Sequence, residues 1–139
     1  MNELEVRTGY FANAKKYQQK GYLAVAISLM LPRWATPYVD HRVHSLAPTQ
    51  AILDTLPDEI EYTRRYKEEI LGKLDPKKVY DEEIAHYAKI RGKDKVVLLC
   101  YENADKFCHR HIVADWLNES LGTDITEIRK DELTSATHG

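Results

Sequence analysis

The sequence predicts a single α/β domain of three layers, with a mostly parallel sheet that carries helices on both faces. The chain has 139 residues, the usual length of one domain. Two nearly continuous apolar runs, residues 22–28 and 95–101, have the length and composition of strands that are buried on both faces. Helical patterns separate the predicted strands, and this alternation is typical of a parallel sheet, whose strands need crossover connections.

The N-terminal part of the chain contributes two strands and one helix to this prediction. Residues 4–8 alternate apolar and polar side chains, as a half-buried strand does. Residues 14–19 favour a short helix that Gly21 would end. The apolar strand 22–28 follows. The connection 29–47 contains two prolines and no clear period, so we expect it to be functional or mobile.

Three helices are predicted in the middle of the chain. Pro48 would be the first residue of a helix over 49–56. Residues 58–74 repeat apolar side chains near the 3.6-residue period, with charged residues between them. Asp75 is a typical N-cap and is followed by a proline, which predicts a third helix from residue 75 to about residue 90.

The C-terminal part completes the predicted sheet. Its elements, in chain order, are a turn over 92–94, the strand 95–101, a helix over 108–121 that ends at Gly122, and a short strand over 124–128. The residues that follow are mostly polar. We therefore expect one domain over residues 1–131 and a flexible tail over residues 132–139.

Composition and charge limit the partners and the location that are expected for this protein. The formal net charge of -2 gives no electrostatic reason to expect a duplex-DNA partner. No apolar run has the length of a membrane span, and the N-terminus lacks the pattern of a signal peptide, so no membrane partner is expected. Two cysteines are too few for a disulfide framework, and a cytoplasmic location is expected. The close spacing of Cys100 and Cys108 leaves a local redox pair open.

The candidate site follows from the predicted topology. The carboxyl ends of parallel strands meet at one edge of a sheet, where α/β proteins bind their ligands. This edge should bring together residues 10–13, 28–34 and 100–110. The last of these segments contains two thiols, an imidazole and a guanidinium, and it leads into the first turn of the helix over 108–121.

Three residues of this segment are candidates for catalysis. Cys100 ends an apolar strand and is expected to be buried. Cys108 lies at a helix start beside a histidine and an arginine, which favour its thiolate, so we expect it to be the more reactive thiol. Glu102 could act as a general acid or base.

Arg110 and His109 are the first candidates for ligand binding. A guanidinium in the first turn of a helix opposes the helix dipole and needs a compensating anion. That anion could be Glu102, or a phosphate or carboxylate of a ligand. We expect the second, with little contribution of Arg110 to folding. Tyr10, Asn13, Arg33 and Trp34 could add hydrogen bonds and a stacking surface.

The histidines do not predict a metal site. The spacing C-x7-C-H-x-H is not a usual zinc pattern, and His109 and His111 point apart on a helix. His41 and His44 could complete a site only if their loop folded over the edge. We therefore expect no metal, and the sequence indicates no particular cofactor.

Several ordered motifs resemble the family known as domain of unknown function 488. They are TGYFAN at 8–13, Ser28 with PRW at 32–34, LAPT at 46–49, YKEEIL at 66–71, LDP at 74–76, LLCYE at 98–102 and CHRH at 108–111. The resemblance covers nearly the whole chain apart from the tail. Gly9 stands where the family leads us to expect serine. The resemblance implies an α/β fold and a site at these motifs, and it assigns no reaction.

Three classes of function are open at this point. The interpretation we favour is binding of a nucleotide-like or other phosphorylated, anionic small molecule at the carboxyl edge. The alternative is an enzyme that uses Cys108 or Cys100 in thiol chemistry, or Glu102 on a glycosidic bond. A third is an interaction protein whose edge is filled by its own side chains. No glycine-rich phosphate loop suggests dinucleotide or ATP chemistry. The sequence does not determine the oligomeric state.

Overall fold

A computed structural model describes residues 3–101 and 107–135 of the chain. Five parallel strands form one sheet in the order β3-β2-β4-β1-β5. They are β1 (Glu5–Tyr10), β2 (Leu23–Ala26), β3 (His41–Arg42), β4 (Lys95–Cys100) and β5 (Thr126–Glu127). The α/β fold class with a parallel sheet is confirmed.

The helices cover both faces of this sheet. The α-helices are α1 (Ala14–Gln19), α2 (Gln50–Leu53), α3 (Glu59–Glu69), α4 (Pro76–Lys78), α5 (His86–Ile90), α6 (His109–Leu121) and α7 (Lys130–Ser135). A π-helical segment, Val79–Ala85, connects α4 to α5. Short 3-10 helices lie at Phe11–Asn13, Arg33–Tyr38, His44–Leu46 and Leu71–Lys73.

The alternation of side chains along β4 creates two apolar cores. Val96 and Leu98 belong to the core that includes residues of α3 and α6. Val97 and Leu99 belong to the other core, with residues of α1 and α7. Successive side chains of a strand point to opposite faces of the sheet, so β4 is buried from both sides. This is why its sequence is an uninterrupted apolar run.

Several helix boundaries follow from capping residues. Thr49 accepts a hydrogen bond from the Ile52 amide, so it is the N-cap of α2, and Pro48 lies before the helix rather than at its first residue. Asp58 caps α3 in the same way. The predicted helix over 58–74 is α-helical only as far as Glu69, and a 3-10 turn follows. Asp75 caps α4, as expected.

Two segments contain secondary structure that the sequence pattern did not indicate. The connection 29–47 contains β3, which pairs with β2 although it has no apolar run. Backbone hydrogen bonds hold this strand in the sheet. In one of them the Val43 N–H donates to the Ala26 carbonyl at 3.0 Å. Residues 132–135, expected in a flexible tail, belong to α7, because Leu133 is buried and Glu132 pairs with Arg7. None of the described helices is long and apolar enough to cross a bilayer.

Candidate functional site

The parallel sheet brings the predicted segments to one edge, as the topology requires. Tyr10, the last residue of β1, lies opposite Cys100, the last residue of β4. Ile27, just after β2, donates its backbone N–H to the Leu99 carbonyl at 3.0 Å. Cys108 is the N-cap of α6, which returns from the same edge. The ends of three strands and the start of one long helix therefore surround a common point.

The two cysteines are joined in a disulfide. Cys100 is 1% exposed and Cys108 is 8% exposed, so both sulfurs lie inside the protein. The expected burial of Cys100 agrees with this placement. Our expectation that Cys108 offers a free and accessible thiol does not hold for this state, because its sulfur is bonded to Cys100. Residues 102–106, between the two cysteines, lie outside the described part of the chain. The candidate Glu102 is one of them.

His109 is oriented by a backbone carbonyl. Its Nε2 lies 2.7 Å from the Ile27 carbonyl oxygen, and its Nδ1 lies 3.8 Å from Cys108 Sγ. Burial of the ring lowers the pKa of His109 to about 4, so the imidazole is neutral near pH 7. The carbonyl can only accept, which assigns the ring proton to Nε2. The lone pair of Nδ1 then faces the sulfur of Cys108.

Arg110 differs most from what the sequence led us to expect. Its side chain has no exposed surface. Nε and Nη2 donate to the two carboxylate oxygens of Glu127 at 2.9 and 3.0 Å, and Nη1 donates to Cys100 Sγ at 3.1 Å. Glu127 of β5 thus supplies an anion for Arg110 from within the protein, and binding of a ligand anion by Arg110 stays a prediction. The cation is held between the sheet and α6 with no exposed surface.

Glu127 is the residue beside this site that sequence reasoning missed. It also accepts a hydrogen bond from Thr8 Oγ1 at 2.6 Å, so it ties β1 to α6. The only feature of the sequence that pointed to Glu127 was its position as an acidic residue within a short predicted strand. A carboxylate that is mostly removed from water needs a partner, but the pairing of β5 with β1 had to be known before Arg110 could be identified as that partner.

The remaining candidates do not converge on the disulfide in the same way. The guanidinium carbon of Arg110 lies 5.8 Å from the centre of the Tyr10 ring, which is buried. Asn13 is half-buried and hydrogen-bonds the Tyr17 side chain. Arg33 and Trp34 lie in an exposed 3-10 helix, and Trp34 is 57% exposed. Neither is among the described residues that line the cavity beside the disulfide.

That cavity has a volume of about 250 Å³. Its described lining consists of Ser28, Leu29, Met30, Pro48, Leu53, Leu56, Tyr62, Cys100, Tyr101, Phe107, Cys108 and His109. These residues come from the ends of β2 and β4, from α2 and α3, and from the first turn of α6. The described lining is mostly apolar and includes no lysine, arginine, aspartate or glutamate.

The structure also groups three residues whose side chains bind a metal when the two sulfurs are thiolates. The sulfurs of Cys100 and Cys108 and a ring nitrogen of His109 all lie within 4.8 Å of one another. His41 is elsewhere, stacked on Tyr87 at 3.7 Å between ring centres. The sequence spacing gave no indication of this group, because residues on either side of a connection become neighbours only when the connection folds back.

Gly9, where the resemblance leads us to expect serine, is explained by Tyr17. A Cβ atom at residue 9 would lie 2.5 Å from the Tyr17 hydroxyl oxygen and 2.6 Å from its ring carbon Cζ. The Tyr17 hydroxyl accepts a hydrogen bond from the Tyr10 amide at 3.3 Å. The aromatic ring therefore occupies the space that a serine side chain would need.

Comparison with protein families identifies one model that matches most of the chain. Residues 12–121 match the family model DUF488-N3a, described as the active DUF488-N3 subclade. The matched segment includes the cavity, the cysteine pair and α6. Comparisons with curated proteins and with solved structures gave no match. The match spans well over half of the chain, and the protein therefore belongs to the DUF488 family.

Proposed function

We propose that this protein is a thiol-dependent enzyme whose Cys100–Cys108 pair exchanges with a thiol or disulfide of a small, largely apolar molecule. The observation that carries the proposal is the position of the pair, since both cysteines line the 250 Å³ cavity at the carboxyl edge. Ligand sites in proteins are typically apolar cavities with a few reactive or polar groups. This proposal develops the thiol alternative that the sequence left open.

Attack on the sulfur of Cys108 is the favoured direction of exchange. Cys108 is the more exposed of the two cysteines, and it caps the 13-residue helix α6. Its partner, Cys100, would leave as a thiolate. Arg110 Nη1, 3.1 Å from Cys100 Sγ, stabilises that negative charge. A leaving thiol whose thiolate is stabilised leaves faster, so the buried guanidinium assists the reaction from behind the disulfide.

The exchange balances in two steps. A substrate thiolate bonds to Cys108 Sγ, the disulfide bond breaks, and its electron pair goes to Cys100. A second substrate thiolate then attacks the substrate sulfur of this mixed disulfide, which releases a substrate disulfide and the Cys108 thiolate. The protein has gained two electrons, and its two thiolates take up protons from water. The reverse sequence reduces a substrate disulfide.

His109 acts as a positioning residue in this proposal. Because its pKa is lowered to about 4 by burial, it stays neutral at pH 7. Its Nδ1, 3.8 Å from Cys108 Sγ, can accept a hydrogen bond from the Cys108 thiol in the reduced protein. The hydrogen bond to the Ile27 carbonyl keeps the ring in place.

Trapping a mixed disulfide tests the proposal. The variant Cys100→Ser lacks the resolving thiol, and its hydroxyl can still accept a hydrogen bond from Arg110. Incubation with a small chromogenic aromatic disulfide should give a stable adduct on Cys108, seen as a mass increase of the intact protein. The matched variant Cys108→Ser should form much less adduct, because Cys100 is 1% exposed. Equal labelling of both variants, or of neither, would contradict the proposal.

A second candidate is the nucleotide-like or phosphorylated ligand expected from the sequence. The first turn of α6 favours it, because Cys108 and His109 border the cavity and the N–H groups of a helix start attract anions. Arg110 gives it no direct support, since the side chain has no exposed surface and already donates three hydrogen bonds to Glu127 and Cys100. Equilibrium dialysis with nucleotides and with inorganic phosphate tests this candidate. Retention that is lost after reduction and alkylation of the two cysteines would favour it. A glycosidic reaction at Glu102 gains no support from the described geometry.

A further inference from the structure

We propose that the reduced form of this site binds Zn²⁺ through Cys100, Cys108 and His109, with its fourth coordination position open to the cavity. The inference rests on the proposed function in one respect, because the disulfide must be reducible in the folded protein. It adds to that function a metal-bound state that the sequence spacing argued against.

The ligand set is the first argument. Two sulfurs and one imidazole nitrogen lie within 4.8 Å of one another. Thiolate and imidazole are the ligands that zinc binds most often in proteins, and Cys₂His with an open fourth position occurs in catalytic zinc sites. All three residues line the cavity, so an ion held by them borders it. A water molecule or a small neutral donor in the cavity would complete the tetrahedron.

The orientation of His109 is the second and independent argument. A metal-binding histidine usually donates its other ring N–H to a carbonyl or a carboxylate, which fixes the tautomer and the ring plane. Here Nε2 lies 2.7 Å from the Ile27 carbonyl oxygen, and Nδ1 is directed at the cysteine sulfur. The ring is thus already held with its lone pair facing the sulfurs, and it needs no proton loss to become a ligand.

Charge is compatible with such a complex. Two thiolates neutralise the dication, so the buried centre carries no net charge. Arg110, which donates to Cys100 Sγ, is itself neutralised by Glu127. Hydrogen bonding of a guanidinium to a coordinating sulfur leaves the other sulfur lone pairs for the metal. The apolar lining of the cavity limits access of water to the site.

Reduction of the disulfide and binding of Zn²⁺ are two separate steps, each balanced in atoms and charge. A phosphine reductant supplies two electrons to the disulfide and leaves as the phosphine oxide, with the oxygen of one water molecule. The two protons of that water go to the sulfurs and form two thiols. Zn²⁺ then displaces both protons into solution, so metal binding is accompanied by proton release.

The experiment uses the full-length protein in its oxidised and phosphine-reduced forms, with Co²⁺ as a spectroscopic substitute for Zn²⁺. We expect the reduced protein to bind a single Co²⁺ with the visible absorption of a tetrahedral site and the near-ultraviolet band of cobalt–thiolate bonds. Zn²⁺ should abolish both bands by displacement. The oxidised protein should show neither, because a disulfide has no thiolate to offer.

Two matched variants assign the nitrogen ligand. His109→Gln keeps an N–H donor for the Ile27 carbonyl and removes the ligand nitrogen, and it should weaken Zn²⁺ binding at least about tenfold. His111→Gln changes a half-buried histidine that does not line the cavity, and it should leave binding unchanged. Cys108→Ser removes one thiolate without altering His109 and should lose the affinity as well. Circular dichroism confirms that each variant is folded.

The outcomes separate this inference from the proposed function. A reduced, folded protein with two titratable thiols and no cobalt–thiolate band overturns the metal site and leaves the thiol exchange standing. If phosphine liberates no thiols from the folded protein, both proposals fall. Equal binding by the oxidised protein, or wild-type affinity in a folded His109→Gln or Cys108→Ser variant, would place the metal elsewhere and overturn the inference.

Discussion

Arg110 shows how one buried side chain connects stability to the candidate site. Its guanidinium joins Glu127 of β5 to the sulfur of Cys100 in β4, and it lies beside the Tyr10 ring. A buried ion pair is weak evidence for net stabilisation, because desolvation opposes the Coulomb attraction. Removing the fully buried Arg110 is different, since Glu127, whose side chain is 18% exposed, then loses its counterion and its two hydrogen bonds.

We therefore expect Arg110→Ala to lower the free energy of unfolding by about 3 kcal/mol, the lower end of the range for a broken buried pair, because water partly screens Glu127. Urea denaturation at pH 7 measures the loss. Arg129→Ala is the control, because that side chain is 72% exposed in its own ion pair and its removal should change stability by less than about 0.5 kcal/mol. Unchanged stability of Arg110→Ala, together with lost anion binding, would restore the ligand-binding role that the sequence suggested.

His109 should make stability depend on pH in a defined window. Burial lowers its pKa from 6.5 to about 4, so the unfolded chain binds a proton between these values that the folded protein does not. Stability is therefore fully present above pH 6.5 and decreases as the pH falls towards 4. The decrease attributable to this residue is about 3 kcal/mol.

Urea denaturation of the wild type and of His109→Gln at pH 7 and pH 4.5 isolates this contribution. The variant should lose less stability than the wild type over that interval, because glutamine does not titrate. His111→Gln serves as the comparison, since burial also lowers the pKa of His111 but its ring is only half-buried. Identical pH dependence of wild type and His109→Gln would contradict the assignment.

At the scale of elements, the last helix is held by both polar and apolar contacts. Glu132 of α7 accepts two hydrogen bonds from Arg7 of β1, at 2.9 and 2.8 Å, and this guanidinium lowers the pKa of Glu132 to about 2. Leu133 is buried in the core that α1 and β4 share. Helix α7 is thus part of the folded domain, although its sequence is polar enough to predict a flexible tail.

Leu133→Ala should destabilise the protein by about 2 kcal/mol, because it removes a buried side chain and leaves a space that α7 fills only partly. Ile60→Ala is the matched control, since Ile60 is 84% exposed, and we expect a change within about 0.5 kcal/mol. Thermal or urea unfolding measures both. A Leu133→Ala protein as stable as the wild type would show that α7 contributes little to the fold in solution.

At the scale of the whole molecule, the sheet order decides where chemistry is concentrated. The strands β1, β2 and β4 are adjacent and parallel, so their carboxyl ends bring Tyr10, Ile27 and Cys100 together. The edge strand β5 then supplies Glu127 from the far end of the chain. The cavity opens beside this point, between the sheet edge and the first turn of α6. The family model matches residues 12–121, which include α1, β2, β4, α6 and the cavity lining but neither β1 nor β5.

The sequence by itself determined the elements that depend on neighbours along the chain. The apolar run of β4, the N-cap Asp75 and the left-handed Gly122 after α6 are local features, and each lies where its pattern indicated. The edge of the sheet that carries Cys100 also followed, because parallel strands separated by helices leave few alternative arrangements.

The tertiary structure alone decided which groups meet. Arg110 pairs with Glu127, 17 residues away, only because β5 lies beside β1. Strand β3 forms because its backbone pairs with β2, and no apolar pattern in its sequence predicts this pairing. The contact of Cys100, Cys108 and His109 likewise depends on the return of α6 to the end of β4. Pairings of this kind are set by the packing of elements distant in the chain, whereas the sequence pattern reports only the local preference of each element.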